Sequence, residues 1–261
     1  MIAVDFGFGT LEAELWRMMF IMTRIGAALL AAPIFSSAGV PVQLRVAITG
    51  AVAILVTAWT DVAAPVALLS AAGLVAVASE VLIGLAMGFV IQLTFAAPTI
   101  AAEVISGTMG MSIATAADPN SGAGSTALGQ YFSILLTLAF LAVDAHLQFV
   151  SLIVRSYTVF PPGGSWLSAA QFEQVVSFGG DMLATAVLLA LPVTLILILV
   201  NVVTGIVSRS APSLNLFALG LPAGVFAGII ALVISAPLLN EQLLGLAGDA
   251  VADVETMLVA R

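Results

Sequence analysis

Glu80, Gly84, Gly88 and Gln92 recur every four residues in one of the most apolar stretches of a 261-residue chain. A carboxylate at membrane depth is costly unless a cation, hydrogen bonds or a wet wall accompany it. At ~100° per residue, each step of four turns a helix by only ~40°, so this stripe stays broadly on one face. Two chemistries fit it. The segment "GLAMG" is a GxxxG pattern that lets two helix backbones approach closely, which makes the face a packing seam with one buried acid paired to an arginine. Alternatively, Glu80 and its neighbours line an ion or proton site. Asn201, Gly205 and Arg209 repeat the spacing further on, flanked by Thr204 and Ser208. Arg17 and Arg24, seven residues apart, share a helix face; they pair with Glu80 or Glu103, or snorkel to the interface. The sequence leaves the partners open.

Groups suited to covalent or metal chemistry are scarce. His146, in "VDAHLQF", is the only histidine, and Asp144 two residues earlier falls on a different helix face. The pair makes no ready proton relay, and His146 reads as a polar anchor or subunit contact. With no cysteine and no second histidine, a metal site is not expected. No G-x-S-x-G occurs, and "GAGS" at 122–125 lacks the lysine of a phosphate-binding loop. No enzyme, cofactor or metal is expected.

The elements that must carry these groups follow from composition. Hydrophobic residues make up 62% of the chain and charged ones 8%, against about a quarter charged in soluble domains. Mean hydropathy is +1.22. The chain is therefore expected to be an all-α integral membrane protein. All six basic residues are arginine, and the net charge is −8. Such a balance offers no basic face to nucleic acid. The acidic start "MIAVDFGFGTLEAELWR" does not fit a cleaved signal peptide. A span needs about 20 apolar residues, and six candidates lie near 15–35, 43–60, 67–105, 127–154, 181–207 and 215–245, the third being one long helix or a broken one. Gly39, Pro41, Pro65, Asp118-Pro119, "FPPGG" at 160–164 and Ala211-Pro212 punctuate them. No tandem repeat is visible. With six spans, Arg45 and Arg209 fall on one side and both acidic termini on the other, which puts the termini outside.

The stretch "ISGTMGMSIATAADPNSGAGSTALGQ", 105–130, interrupts this pattern. Non-helical backbone cannot face lipid, so 106–126 must lie in water, re-enter, or pack against protein. Asp118-Pro119-Asn120-Ser121-Gly122 is strong turn chemistry. The preceding residues are too polar for a good span and too apolar for an ordinary solvated loop. Their methionines can fill an irregular gap and yield again. Two readings stand on the residues alone: a plain loop with a frayed helix end, or a constriction that seals and opens.

Five pieces, in order, resemble the FliR family of type III secretion export-gate subunits. They are "RIGAALLAAPIFSSAGVPVQLRVAI" (24–48), "EVLIGLAMGF" (80–89), "MGMSIATAADPNSG" (109–122), "FLAVDAHLQFV" (140–150) and "LALPVTLILILVNVVTGIVSRSAPSLNLFALGLP" (189–222). Ala145 stands where the family more often has glycine. The resemblance covers nearly the whole chain and implies one export-gate membrane domain over 1–261. Its helical hairpins would form a non-standard bundle assembled helically with partner subunits. It implies FliP, FliQ and FlhB as partners, with membrane lipid, in the bacterial inner membrane at the flagellar basal body. Unfolded flagellar proteins would be the cargo. It further implies a pore plug at about 106–122, carried by Gly107, Met109, Gly110, Met111, Asp118, Pro119 and Gly122. Subunit or helix packing would fall to Glu80, Gly84, Gly88, Gln92, Asn201, Gly205, Arg209, Pro212, Asn215 and Phe217. Virulence-type gates share these motifs. A secondary transporter with broken helices, or a scaffold without transport, remains the alternative from the residues alone.

Overall fold

A computed structural model describes residues 10–37, 39–60, 62, 70–111, 126–162, 168–210 and 216–259. The helices are α1 (Thr10–Ala31), α2 (Pro33–Ser36), α3 (Val42–Trp59), α4 (Ala71–Thr108), α5 (Ala127–Ala142), α6 (Ala145–Val159), α7 (Ala169–Ser210) and α8 (Leu216–Val259). No strand occurs among the described residues, and the fold is all-α.

Among the described residues, four helices are long and apolar enough to cross a membrane: α3, α4, α7 and α8 from Pro222 onward. The broken pair α5–α6 makes a fifth if counted as one span. The expected count of about six is thus approximate, and the difference is α1. That helix holds Glu12, Glu14, Arg17 and Arg24 within its 22 residues, too many charges for an ordinary span. From Ala71 onward the third candidate is one uninterrupted helix. Helices α4, α7 and α8 have 38, 42 and 44 residues, about twice the ~20 that cross a bilayer. They contain Pro98, Pro192, Pro222 and Pro237 without ending. Apolar helices tolerate such prolines where neighbours satisfy the freed carbonyls.

Local chemistry sets the ends. At the start of α5, Thr126 accepts a hydrogen bond from the Gly129 N–H at 3.1 Å. At the start of α7, Ser168 and Gln171 form a reciprocal capping box. The Ser168 N–H donates to Gln171 Oε1 at 2.7 Å, and the Gln171 N–H donates to Ser168 Oγ at 3.3 Å. Ser168→Ala should lower stability by about 1 kcal/mol, read as a lower melting temperature in detergent; an unchanged value would mean that packing alone holds this end. Between α5 and α6 the chain breaks at Asp144, which adopts a left-handed φ of 55°.

The chain divides into two compact units. The first comprises residues 1–93, 144–179 and 248–261; the second comprises 94–143 and 180–247. The first is centred on buried Phe20, Ile21, Ile25, Met87, Phe149 and Val254. In it, Arg17 Nη2 donates to the Thr60 carbonyl at the end of α3, and Arg45 Nη2 to the Ser36 and Ser37 carbonyls at the end of α2. Each arginine satisfies carbonyls that a helix end leaves unpaired. The second unit packs Ala101, Ile105, Phe132, Leu189, Val193 and Ala231 into one cluster, with Phe95 edge-on to Phe140 at 5.6 Å.

Candidate functional site

The first unit encloses a polar clamp around Arg24, which is wholly buried. Its Nε donates to Glu80 Oε2 and its Nη2 to Glu80 Oε1, both at 2.8 Å. This is the side-on, two-pronged geometry that a planar guanidinium offers a carboxylate. Nη1 donates to Ser156 Oγ at 3.1 Å, and Nη2 also donates to the Phe160 carbonyl at 2.9 Å. The Tyr157 ring lies 4.2 Å from the guanidinium carbon, and its hydroxyl donates to the Ile21 carbonyl at 2.7 Å. Four of the five arginine N–H groups are thereby engaged, and an aromatic face covers the cation. The two charges cancel. Helices α1, α4 and α6 meet at this point.

The GxxxG seam lies beside the clamp. A methyl group placed on Gly84 would sit 2.2 Å from the Arg24 carbonyl oxygen, and one on Gly88 would sit 2.4 Å from that of Ala28. These glycines are what lets α4 approach the backbone of α1. Glu80 thus faces Arg24, while Arg17 and Glu103 find other partners. Gln92 does not join the stripe in the structure: it is exposed. Three steps of ~40° turn it ~120° from Glu80, off the seam.

In the second unit the site is the end of α4. The Met109 N–H donates to the Ile105 carbonyl at 2.9 Å and the Gly110 N–H to that of Gly107 at 3.1 Å. Gly110 then takes φ 82°, which glycine adopts without strain and which stops the helix. Glu103 Oε1 accepts from the Thr126 N–H at 3.2 Å, and Ser106 Oγ lies 3.4 Å from Thr126 Oγ1. The two ends of the interrupting stretch are therefore tied together, α4 to the cap of α5. Gly107 is exposed, Met109 is buried and Met111 is partly buried. Asp118, Pro119 and Gly122 lie outside the described residues.

Met109 does not hang free. A methyl group on Gly228 of α8 would come within 2.5–2.7 Å of its Cε, Cγ and Sδ, and one on Gly224 within 2.9 Å of its carbonyl oxygen. Asn201 Nδ2 of α7 donates to the Thr108 carbonyl at 3.1 Å. Asn201, Gly205 and Arg209 otherwise stand on an exposed face, and among the described residues nothing lies within 4 Å of a methyl group on Gly205. Among the described residues they make no close helix seam. Pro212, Asn215 and the side chain of Phe217 lie outside the described residues. His146 Nδ1 is buried without a hydrogen-bond partner, so it does not pair with Asp144.

Sequence reasoning missed Ser156, Tyr157, Gly224 and Gly228. The first two carry no signal, being ordinary residues on an amphipathic helix. The last two do: "GVFAG" is a GxxxG, like "GLAMG".

Residues 15–249 match the family described as bacterial export proteins, family 1. The flagellar biosynthetic protein FliR of Pectobacterium carotovorum subsp. carotovorum is 29% identical, over 96% of this chain and 98% of its own. That of Escherichia coli K12 is 31% identical, over 84% and 83%, and that of Bacillus subtilis 168 is 30% identical, over 83% and 84%. The match runs through both the Arg24 clamp and the end of α4, and the chain belongs to the bacterial export proteins of family 1.

Proposed function

We propose that this protein is a core subunit of the flagellar type III export gate in the bacterial inner membrane. It acts with FliP, FliQ and FlhB subunits, and unfolded flagellar proteins cross through their shared pore. The observation that carries this reading is the similarity to FliR proteins along nearly the whole chain. The long helices agree with it. Their outer faces carry Leu188, Leu195 and Leu199 on α7 and Phe226, Ile230 and Val233 on α8, all exposed. Apolar surface of this extent needs lipid or partner subunits to cover it. The work is mechanical and not enzymatic.

Within that gate, residues 106–122 act as the plug. The tie between Glu103 and Thr126 supports this, because it anchors both ends of the stretch in one unit while the helix stops at Gly110. Deleting 106–122 should raise ion leakage through assembled gates, read as membrane depolarisation, while the purified complex keeps its subunits. Normal tightness in correctly assembled mutant gates would sink the plug reading.

A further inference from the structure

We infer that the first unit holds one acyl chain of a membrane phospholipid, in a cavity between α4 and the start of α7. The cavity measures about 590 Å³, within the ~300–1,000 Å³ usual for small-molecule sites. Ser79, Leu82, Ala86 and Phe89 of α4 line one side, Phe172 and Val176 of α7 the other, and α1 closes it at Ala31. The four α4 positions fall at i, i+3, i+7 and i+10, which is one helix face. They rise ~15 Å at 1.5 Å per residue, and one leaflet of a ~30 Å hydrocarbon core is equally deep. Helix α4 is long and apolar enough to span that core. Among the described residues that line the cavity none is charged, and the one hydroxyl, of Ser79, donates to the Ala76 carbonyl at 2.7 Å. A charged or polar occupant would find no partner inside, whereas a hydrocarbon tail has no polar group to desolvate. Walls without packing atoms opposite them forfeit dispersion contacts. A flexible chain restores those contacts; a helix, about 10–12 Å across, is too broad to enter. The mouth lies at the membrane surface. Phe172 and Val176 are exposed there, and so are Glu173 and Ser177 beside them. The start of α7 is thus amphipathic, as an element at the lipid–water boundary is. A phospholipid at that depth keeps its headgroup in the interface and lays one chain along α4.

The probe is phosphatidylcholine with a diazirine midway along one acyl chain, in vesicles that hold the full-length protein. On illumination the diazirine loses nitrogen, the carbene inserts into whatever lies beside it, and peptide mass analysis locates the label. Label on the exposed Leu195 and Phe226 of α7 and α8 reports ordinary surrounding lipid. The expected result is several times more label at Leu82, Phe89 and Val176. Ala86→Phe fills the cavity from within and should abolish that excess while leaving the label at Leu195 and Phe226 unchanged. Val176→Trp obstructs the exposed mouth without touching the interior and should do the same at Leu82 and Phe89, which keeps the test decisive if Ala86→Phe fails to fold. Equal label in the cavity and on the outer faces would overturn the inference, and so would an excess that survives both substitutions. Loss of the label at all three positions in complexes purified with partner subunits would overturn it too, and would assign the cavity to a partner's side chains. The measurement requires no export and does not depend on the plug.

Discussion

Arg24→Ala is expected to leave little folded protein in the membrane fraction. Removing one partner of a buried pair typically costs about 3–5 kcal/mol, because the other charge stays buried and unmatched. Here the loss reaches further. Glu80 would lose both short hydrogen bonds, Ser156 and the Phe160 carbonyl their donor, and Tyr157 its cation. Total stabilities are themselves only about 5–15 kcal/mol, so a loss of this size decides accumulation. The conservative changes rank themselves. Arg24→Lys keeps the charge but not the planar fork, and one ammonium cannot span Glu80, Ser156 and the Phe160 carbonyl together. Glu80→Gln keeps a hydrogen-bonding group opposite Arg24 and should be milder than Glu80→Ala, which leaves the guanidinium facing a void. Removing both charges, as Arg24→Met with Glu80→Leu, should recover much of the loss. Quantifying each variant in membranes, and then its melting in detergent, checks the series. Equal accumulation of Arg24→Ala and the parent chain would mean that the clamp contributes nothing.

The clamp also marks where the sequence stops being informative. An acid followed by glycines at intervals of four is a local pattern, and its meaning as a close seam follows from helix geometry. The partner is not local. Arg24 and Glu80 are 56 residues apart, and Arg24 and Ser156 are 132 apart. Spacing and residue type alone do not distinguish Arg24 from Arg17, which instead binds the end of α3. The same pattern also misleads. Gln92 prolongs the stripe on paper, but ~40° of drift per step carries it out to an exposed position. Asn201, Gly205 and Arg209 have the same spacing with no close helix across from Gly205 among the described residues. A four-residue period states which residues share a face, not whether that face meets this chain, a partner or lipid. The break near residue 110 is legible because glycine and Asp-Pro act on their own backbone. The burial of Met109 is not, since its slot is cut by glycines more than a hundred residues away.

Gly84→Ala and Gly88→Ala should each disrupt the α1–α4 seam, and a larger side chain should do so more. The obstacle at each position is backbone, which cannot swing aside. A methyl group on Gly84 would meet the Arg24 carbonyl oxygen at 2.2 Å and the Ala27 methyl at 2.9 Å. On Gly88 it would meet the Ala28 carbonyl oxygen at 2.4 Å and the Ala31 methyl at 2.5 Å. Relief requires the helices to move apart, and overpacking of this kind typically costs about 1–3 kcal/mol, occasionally more. Gly84 carries the larger penalty because the atom it displaces belongs to Arg24. Shifting that backbone lengthens both 2.8 Å bonds to Glu80. Gly84→Ala and Glu80→Gln should therefore combine non-additively, as residues sharing one network do. Gly205→Ala is the control: its methyl group meets nothing within 4 Å, and alanine favours a helix over glycine by about 1 kcal/mol. Melting temperatures of the purified variants in one detergent make the comparison. The expected order places Gly205→Ala at or above the parent chain, Gly88→Ala below it and Gly84→Ala lowest. If Gly84→Ala melts with Gly205→Ala, helices α1 and α4 are not in backbone contact, and the clamp loses the seam that brings Glu80 to Arg24.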